Sequence, residues 1–91
     1  MLFIALMRLR EGKLQPAIAQ RMQWEYPKDV RLVGEYWLST NDPKVISIYE
    51  TDNYDAIMEN STTWDDAFDM QIFTAVTAED GMEWVKKTMG L

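Results

Sequence analysis

The sequence predicts an α+β fold, in which an antiparallel four-stranded sheet carries two helices on one face and a third helix follows at the C terminus. Three observations predict it. Four segments favour strands, three segments place apolar residues at helical spacing, and the segments alternate in the order β-α-β-β-α-β-α. A chain of 91 residues is long enough for one domain, residues 1–91, with a small core.

The first strand is MLFIALMRL at residues 1–9, which contains a single charged residue. The run is shorter than a membrane-spanning helix, and it has neither a basic flank before it nor a signal-peptide cleavage site after it. We therefore interpret it as a strand rather than as a membrane or targeting segment. It is apolar in both registers, which is typical of a strand whose two faces are both covered.

The first helix follows a turn at Gly12 and begins near Pro16, a residue that the first turn of a helix accepts. Pro27 disfavours helical geometry at the residue before it, so the helix is expected to end near Tyr26. The stripe that faces the core is predicted to contain Leu14, Ala17, Ile18 and Met22.

A hairpin and two further helices account for the remainder. VRLVGEYWLS (30–39) and KVISIYET (44–51) flank the turn-forming stretch TNDP, and FDMQIFTAV (68–76) predicts the fourth strand. TDNYDAIMENS predicts a second helix capped by Asp52, while Thr77 with Asp80 resembles a capping box that opens the third helix, with Gly90 just past its end. The residues expected on one side of these two helices are Tyr54, Ile57, Met58 and Ser61, and Met82, Val85 and Met89.

This order of elements is that of a ferredoxin-like split βαβ unit, whose helices cover one face of the sheet. One register of the last three strands is expected on the other face: Val33, Glu35, Trp37, Val45, Ser47, Tyr49, Asp69, Gln71, Phe73 and Ala75. Large aromatic residues there require a cover, and no further layer is left in the chain. The predicted cover is a second copy of the chain, which agrees with an apolar content of 47%.

Several stretches resemble a known group of proteins: MLFIALMRLREGK, VRLVGEYWLS, SIYETDNYDAI and FDMQIFTAVTAED. Over essentially the whole chain they are similar to an uncharacterised domain-of-unknown-function family, family 3303, of the dimeric α/β-barrel superfamily. The resemblance implies a ferredoxin-like fold and a homodimer that packs through its sheets. It implies no reaction and no catalytic residues, because fold-level likeness transfers no activity.

The candidate site is a mostly apolar cleft with a few polar groups, the usual form of a small-molecule site. Its predicted ligand-binding residues are Trp37, Ser47, Tyr49, Gln71 and Phe73, with Glu35 as a candidate catalytic residue. In an apolar cleft the pKa of Glu35 would be raised, which suits a general acid or base. Equally, a glutamate at this position could simply pair with Arg31 or with an arginine of a second copy. The alternative is that these residues form a filled dimer core. Trp24, Tyr26 and Trp64 are expected in core packing or subunit contact rather than in ligand stacking.

Absent residue types exclude several kinds of chemistry. The chain has no histidine and no cysteine, so disulfides, thiolate chemistry and a conventional histidine-ligated haem are not expected, and we predict no cofactor. The net charge of −6 and the lack of a basic face argue against nucleic-acid binding. The cluster Asp65, Asp66 and Asp69 lacks the calcium-loop pattern and is interpreted as capping and solvated loop charge, so no metal site is predicted.

Three hypotheses about function remain open. The first is a cytoplasmic homodimer that binds a small, mostly apolar molecule, either between sheet and helices or between the two sheets. The second is a cofactor-independent monooxygenase-like or isomerase-like enzyme that uses Glu35 for proton transfer and Trp37 as a platform for substrate. The third is a structural dimerisation module with no ligand and no accessible cavity. Neither a membrane nor a nucleic acid is expected as a partner.

Overall fold

The computed structural model describes residues 1–90 and confirms the predicted α+β, ferredoxin-like arrangement. Its elements are β1 (Leu2–Leu9), α1 (Leu14–Gln23), β2 (Arg31–Trp37), β3 (Val45–Glu50), α2 (Tyr54–Trp64), β4 (Phe68–Ala75) and α3 (Ala78–Met89). The strands form one antiparallel sheet in the order β2-β3-β1-β4, so β2 and β4 are the edges. Within residues 1–90 no helix has the length and apolar character needed to cross a membrane.

The two faces of the sheet differ in their cover. Along β1 and β3 every second residue is buried beneath α1 and α2, and the residues between them stay partly exposed. The buried set is Phe3, Ala5, Met7, Val45, Ser47 and Tyr49. We call the uncovered side the open sheet face; its large apolar residues are Leu2, Ile4, Leu6, Tyr36, Ile46, Ile48 and Phe73.

A bulge in β2 changes which residues of that strand face the helices. The register with β3 shifts between Leu32 and Gly34, so Val33 has no partner opposite it. Beyond the bulge Glu35 lies opposite Ser47, and Trp37 lies opposite Val45. The prediction that these four residues lie on the uncovered face is therefore wrong: they lie on the face that the helices cover.

Helix α1 ends earlier than predicted and turns a different stripe to the core. It stops at Gln23, because Trp24 adopts extended backbone angles well before Pro27. Ala17 is buried, whereas Met22 is 81% exposed. Arg21 occupies the inward position expected for Met22, since residues at i, i+3, i+4 and i+7 from Leu14 share one face.

Helix α2 also differs from prediction in its cap and its inward face. The side chain of Asn53, not Asp52, accepts a hydrogen bond from the backbone N–H of Asp55 at 3.0 Å. The buried residues of this helix are Ala56, Ile57, Asn60 and Trp64. Tyr54 and Met58, which were expected on the inward side with Ile57, are exposed.

The core consists of two clusters between the helices and the sheet. One contains Met7, Ala17, Val45, Trp64, Ala67 and Phe68. The other contains Phe3, Ala5, Tyr49 and Ile57. Small residues, Ala5 and Ser47, lie opposite each other at the centre of the sheet and leave room above them for the helices.

Helix α3 has the predicted ends but not the predicted environment. The Thr77 side chain accepts from the backbone N–H of Asp80 at 3.1 Å, and Gly90 ends the helix with a left-handed φ of 70°. No residue of α3 is buried, so the expectation that Met82, Val85 and Met89 point inward is wrong for a single chain. The radius of gyration is 15.3 Å, compared with about 12 Å for a compact chain of this length.

Candidate functional site

A pocket opens between the two packed helices and the covered face of the sheet, at the edge formed by β2. Its interior volume is about 50 Å³, and the whole concavity, including its open mouth, is about 540 Å³. Its aliphatic lining comes from Met7, Leu14, Ala17, Ile18 and Val45. The interior admits a group of a few heavy atoms, and the remainder of a larger ligand would occupy the mouth.

Aromatic side chains line most of the remaining wall. They are Trp24, Tyr26, Trp37, Trp64 and Phe68. Trp24 meets both Tyr26 and Trp64 edge to face, with ring centroids 4.5 Å and 5.6 Å apart. Such contacts fix the ring planes and leave flat, polarisable surfaces toward the pocket.

Glu35 is the most constrained polar group of the pocket, with 13% of its side chain exposed. Its Oε2 accepts from Arg21 Nε at 3.1 Å and from Trp37 Nε1 at 2.8 Å. Its Oε1 accepts from Arg21 at 3.2 Å and from the Tyr26 hydroxyl at 2.8 Å. Both carboxylate oxygens therefore accept hydrogen bonds, and the donors lie on α1, on the loop that follows it and on β2 itself.

These donors determine the protonation state of Glu35. Burial by itself would raise the pKa of this carboxyl, but hydrogen bonds from Arg21, Trp37 and Tyr26 outweigh it and hold the pKa below its ordinary value. The sequence-based expectation of a raised pKa is therefore wrong, and the arginine that pairs with Glu35 is Arg21 rather than Arg31. Arg31 instead pairs with Glu50 at 2.6 Å. An ionised carboxylate with occupied lone pairs is a weak general base and cannot donate a proton.

Arg21 also forms cation–π contacts with two aromatic rings of the pocket. Its guanidinium carbon lies 5.7 Å from the ring centroid of Trp24 and 5.6 Å from that of Tyr26. It also donates to the Trp24 carbonyl at 3.1 Å. The chain's own cation therefore takes the position beside Glu35 that a cationic ligand would need.

The other polar groups at the pocket are Lys44, Ser47 and Asn60. Lys44 donates from Nζ to the Leu38 carbonyl at 2.9 Å, which leaves two further N–H bonds on the ammonium. Ser47 and Asn60 are buried, and each carries a group that both donates and accepts. With Arg21 and Glu35 paired, Lys44 gives the lining an unbalanced positive charge.

The structure brings together only part of the predicted site. Glu35, Trp37 and Ser47 line the pocket, and Tyr49 is buried in the adjacent core cluster. Gln71 and Phe73 point to the open sheet face, opposite Leu6 and Ile4 of β1. The predicted convergence of all six residues on one face is wrong, while any role in ligand binding stays a prediction.

Sequence reasoning missed three polar residues of the pocket, Arg21, Lys44 and Asn60. Arg21 had a detectable signal, because it completes the i, i+3, i+4, i+7 series that starts at Leu14. Asn60 had a weaker signal, since it lies four residues before the buried Trp64 on the same helix. Lys44 follows a turn, where a lysine is usually solvated, so its sequence gives no indication of a pocket.

The acidic cluster near β4 is neutralised by basic side chains at the end of β1 and in the segment that follows it. Asp69 forms ion pairs with Arg8 and with Arg10, the latter at 2.8 Å, and Asp66 pairs with Lys13 at 3.2 Å. Among residues 1–90 no three histidine, cysteine, aspartate or glutamate side chains gather in a way that could hold a metal ion. These aspartates therefore have a clear structural role at the surface.

Comparisons with known proteins give a family and a weak structural likeness. The crystal structure of protein Atu4242 from Agrobacterium tumefaciens is 14% identical, with a TM-score of 0.46, over 86% of this chain and 96% of that one. No curated protein matches the sequence. A family model described as Domain of unknown function (DUF3303) matches residues 1–89.

Proposed function

Since the chain belongs to the DUF3303 family, whose description leaves the function open, we propose from the pocket itself that it binds a small, mostly apolar molecule that is neutral or anionic. The observation that carries the proposal is the aromatic pocket between helices and sheet. Planar rings around a concave, largely apolar space favour a flat ligand, while a few polar groups fix its orientation.

The charges of the pocket support this choice of ligand. Glu35 has both oxygens occupied, and the guanidinium of Arg21 already lies over Trp24 and Tyr26, so a cationic ligand would have to displace an internal ion pair. An acceptor or a carboxylate on the ligand would instead find free donors on Lys44. Breaking a partly buried ion pair is costly, because it leaves a charge uncompensated.

Three probes that share one ring test the ligand class: benzoate, benzyl alcohol and benzylamine. Benzoate and benzyl alcohol are expected to bind with a dissociation constant of about 1 mM or below, and benzylamine at least tenfold more weakly. Binding is measured by tryptophan fluorescence and by NMR chemical shifts of the tryptophan indole N–H groups. Equal binding of all three probes would contradict the charge argument, and no binding of any would contradict the proposed pocket.

A matched pair of tryptophan variants locates the site. Trp37 lines the pocket and is 54% exposed, whereas Trp84 on α3 is 65% exposed and lies outside it. Trp37→Ala should weaken binding of benzyl alcohol at least fivefold, and Trp84→Ala should leave it unchanged. The opposite pattern would place the ligand elsewhere.

We also propose that two copies pack through their open sheet faces. The centre of this face is apolar, with Ile4, Ile46 and Ile48 on adjacent strands. Ion pairs lie toward its rim, between Arg8 and Asp69 and between Arg31 and Glu50. An apolar centre with a charged rim is the usual composition of a protein interface.

Ile48→Asp is expected to convert the protein to a monomer, because it places a carboxylate at the centre of the apolar face. Sedimentation equilibrium at micromolar concentration measures the change. Met22→Asp is the control, since Met22 is an exposed methionine on α1, on the other side of the sheet. A wild-type protein that sediments as a folded monomer would contradict the proposed dimer.

The enzyme hypothesis has less support than ligand binding. Its proton-transfer residue, Glu35, is ionised and accepts hydrogen bonds on both oxygens, so it offers little basicity to a substrate. The purely structural hypothesis requires a filled interior, and the pocket argues against it. A cytoplasmic location stays a prediction from the sequence.

A further inference from the structure

Helix α3 is a well-defined helix whose apolar surface is not covered by any other element among residues 1–90. Thr77 caps its start and Gly90 its end, Glu79 and Asp80 occupy the first turn, and the last turn carries two lysines. Each of these features stabilises a helix at that position. The ends and the charges of α3 therefore specify a helix, although none of its residues is buried.

The side chains of α3 divide cleanly between two arcs. At about 100° per residue, every charged residue falls on one arc: Glu79, Asp80, Glu83, Lys86 and Lys87. The opposite arc, which we call the apolar arc, holds Ala78, Gly81, Met82, Trp84, Val85, Thr88 and Met89. Such a pattern is typical of a helix that packs along one side.

An isolated helix of this length does not persist in water. Helices shorter than about 12 to 15 residues are marginal without tertiary packing, and α3 has 12 residues. Large apolar residues on its apolar arc, Met82, Trp84 and Met89, are exposed in the single chain. The stability of α3 therefore requires a surface that the described part of the single chain, residues 1–90, does not supply.

The accessible surface of the single chain indicates how much area a partner would cover. It is 6611 Å², compared with about 5,500 Å² for a compact monomeric protein of this mass. The excess of roughly 1,100 Å² is as large as the surface that each partner buries in a stable interface, about 800 Å². A second copy that covers both α3 and the open sheet face would account for this excess.

We propose that α3 is an exchanged arm, whose apolar arc packs against a second copy of this chain and extends the interface between the open sheet faces. The inference rests on the proposed dimer. A two-fold pair satisfies both unpartnered surfaces at once, because each copy carries the same arm and the same receiving surface. A connection of two residues, Val76 and Thr77, joins α3 to β4, and the helix has little contact with the other elements, in agreement with the long dimension of 51 Å.

The test compares two variants of α3 that change the net charge equally. Met82→Glu places a charge on the apolar arc, and Lys87→Gln removes one from the charged arc. By sedimentation equilibrium, Met82→Glu should raise the dimer dissociation constant at least tenfold, and Lys87→Gln should change it less than threefold. Thermal unfolding of diluted protein should be the same for both variants, since Met82 is exposed in the single chain.

Hydrogen exchange of the full-length protein gives a second readout. Amides of α3 should be protected at concentrations where the dimer forms and should exchange at least tenfold faster after dilution to monomer. Protection that survives dilution would mean that α3 folds back on its own chain, which overturns the proposal. An unchanged dimer in Met82→Glu would also overturn it while leaving the sheet-packed dimer intact, and a monomeric wild type would remove both.

Discussion

Glu35→Gln is expected to lower the free energy of unfolding by about 2 kcal/mol, because it leaves the Arg21 guanidinium without its counter-charge in a partly buried position. The pair is suited to such an effect, since 13% of the Glu35 side chain and 31% of the Arg21 side chain are exposed. The new amide would also direct its own N–H groups toward donors on Tyr26 or Trp37. Urea unfolding monitored by circular dichroism measures the loss.

A double-mutant cycle separates the ion pair from the other contacts. Arg21→Met alone should also destabilise the protein, and the double variant should lose about 1 to 2 kcal/mol less than the sum of the two single losses. Glu50→Gln is the matched control, because Glu50 of β3 also pairs with an arginine, Arg31 of β2, but at the exposed face of the sheet. Glu50→Gln should leave the free energy of unfolding nearly unchanged, because solvent screens this exposed pair. Additive losses at Arg21 and Glu35 would contradict the pairing.

The contribution of Glu35 to the free energy of unfolding should decrease as the pH is lowered. The folded pKa of Glu35 lies below its ordinary value, because hydrogen bonds from Arg21, Trp37 and Tyr26 overcome the opposing effect of burial. The stabilisation is therefore complete above the pKa of an unfolded glutamate, about 4.3, and is lost as the pH falls through the lower folded pKa. The difference in unfolding free energy between wild type and Glu35→Gln should shrink on acidification, and a difference that grows would contradict the assignment.

Trp64→Ala is expected to have the largest effect on stability, a loss of about 3 to 5 kcal/mol. Trp64 is only 4% exposed and contacts the rings of Trp24 and Phe68, with centroids 5.6 Å and 6.1 Å away. A chain of about 90 residues has a total stability of roughly 5 to 13 kcal/mol. The substitution therefore removes a large part of that stability and also a wall of the pocket.

Met58→Ala provides the control on the same helix, because Met58 faces solvent. Its unfolding free energy should change by no more than about 0.5 kcal/mol. The urea midpoint of Trp64→Ala should fall clearly below that of Met58→Ala with little change in slope. Similar midpoints for the two variants would mean that α2 does not pack on the sheet as described.

The sequence was sufficient for the element order but not for the two faces of the sheet. In β3 the alternating sets Val45, Ser47, Tyr49 and Ile46, Ile48 are both largely apolar, so hydrophobicity does not distinguish them. Size is more informative, because Ala5 and Ser47 lie opposite each other beneath the helices. Small residues at that position allow helices to approach closely, whereas the isoleucines fill the uncovered side.

Only part of the candidate site could be predicted from the sequence, because local alternation along a strand does not show which face the helices cover. Glu35 and Trp37 share a face by simple alternation along the strand, and the structure keeps them together. Gln71 and Phe73 lie on the uncovered face, as predicted. Glu35 and Trp37 lie on the other face because of the bulge at Val33, which no local pattern reveals. The Arg21–Glu35 pair spans a helix and a strand, so only the tertiary fold brings it together.

The bulge at Val33 has a consequence for self-assembly at the two sheet edges. A regular edge strand presents unpaired backbone groups that can template further strands, and a bulge interrupts that template. Strand β2 has such an interruption, whereas β4 pairs with β1 without a shift over eight residues and carries one charge, Asp69. Fibril-like aggregation of this chain would therefore begin at β4, and a charge or a proline on that edge would suppress it.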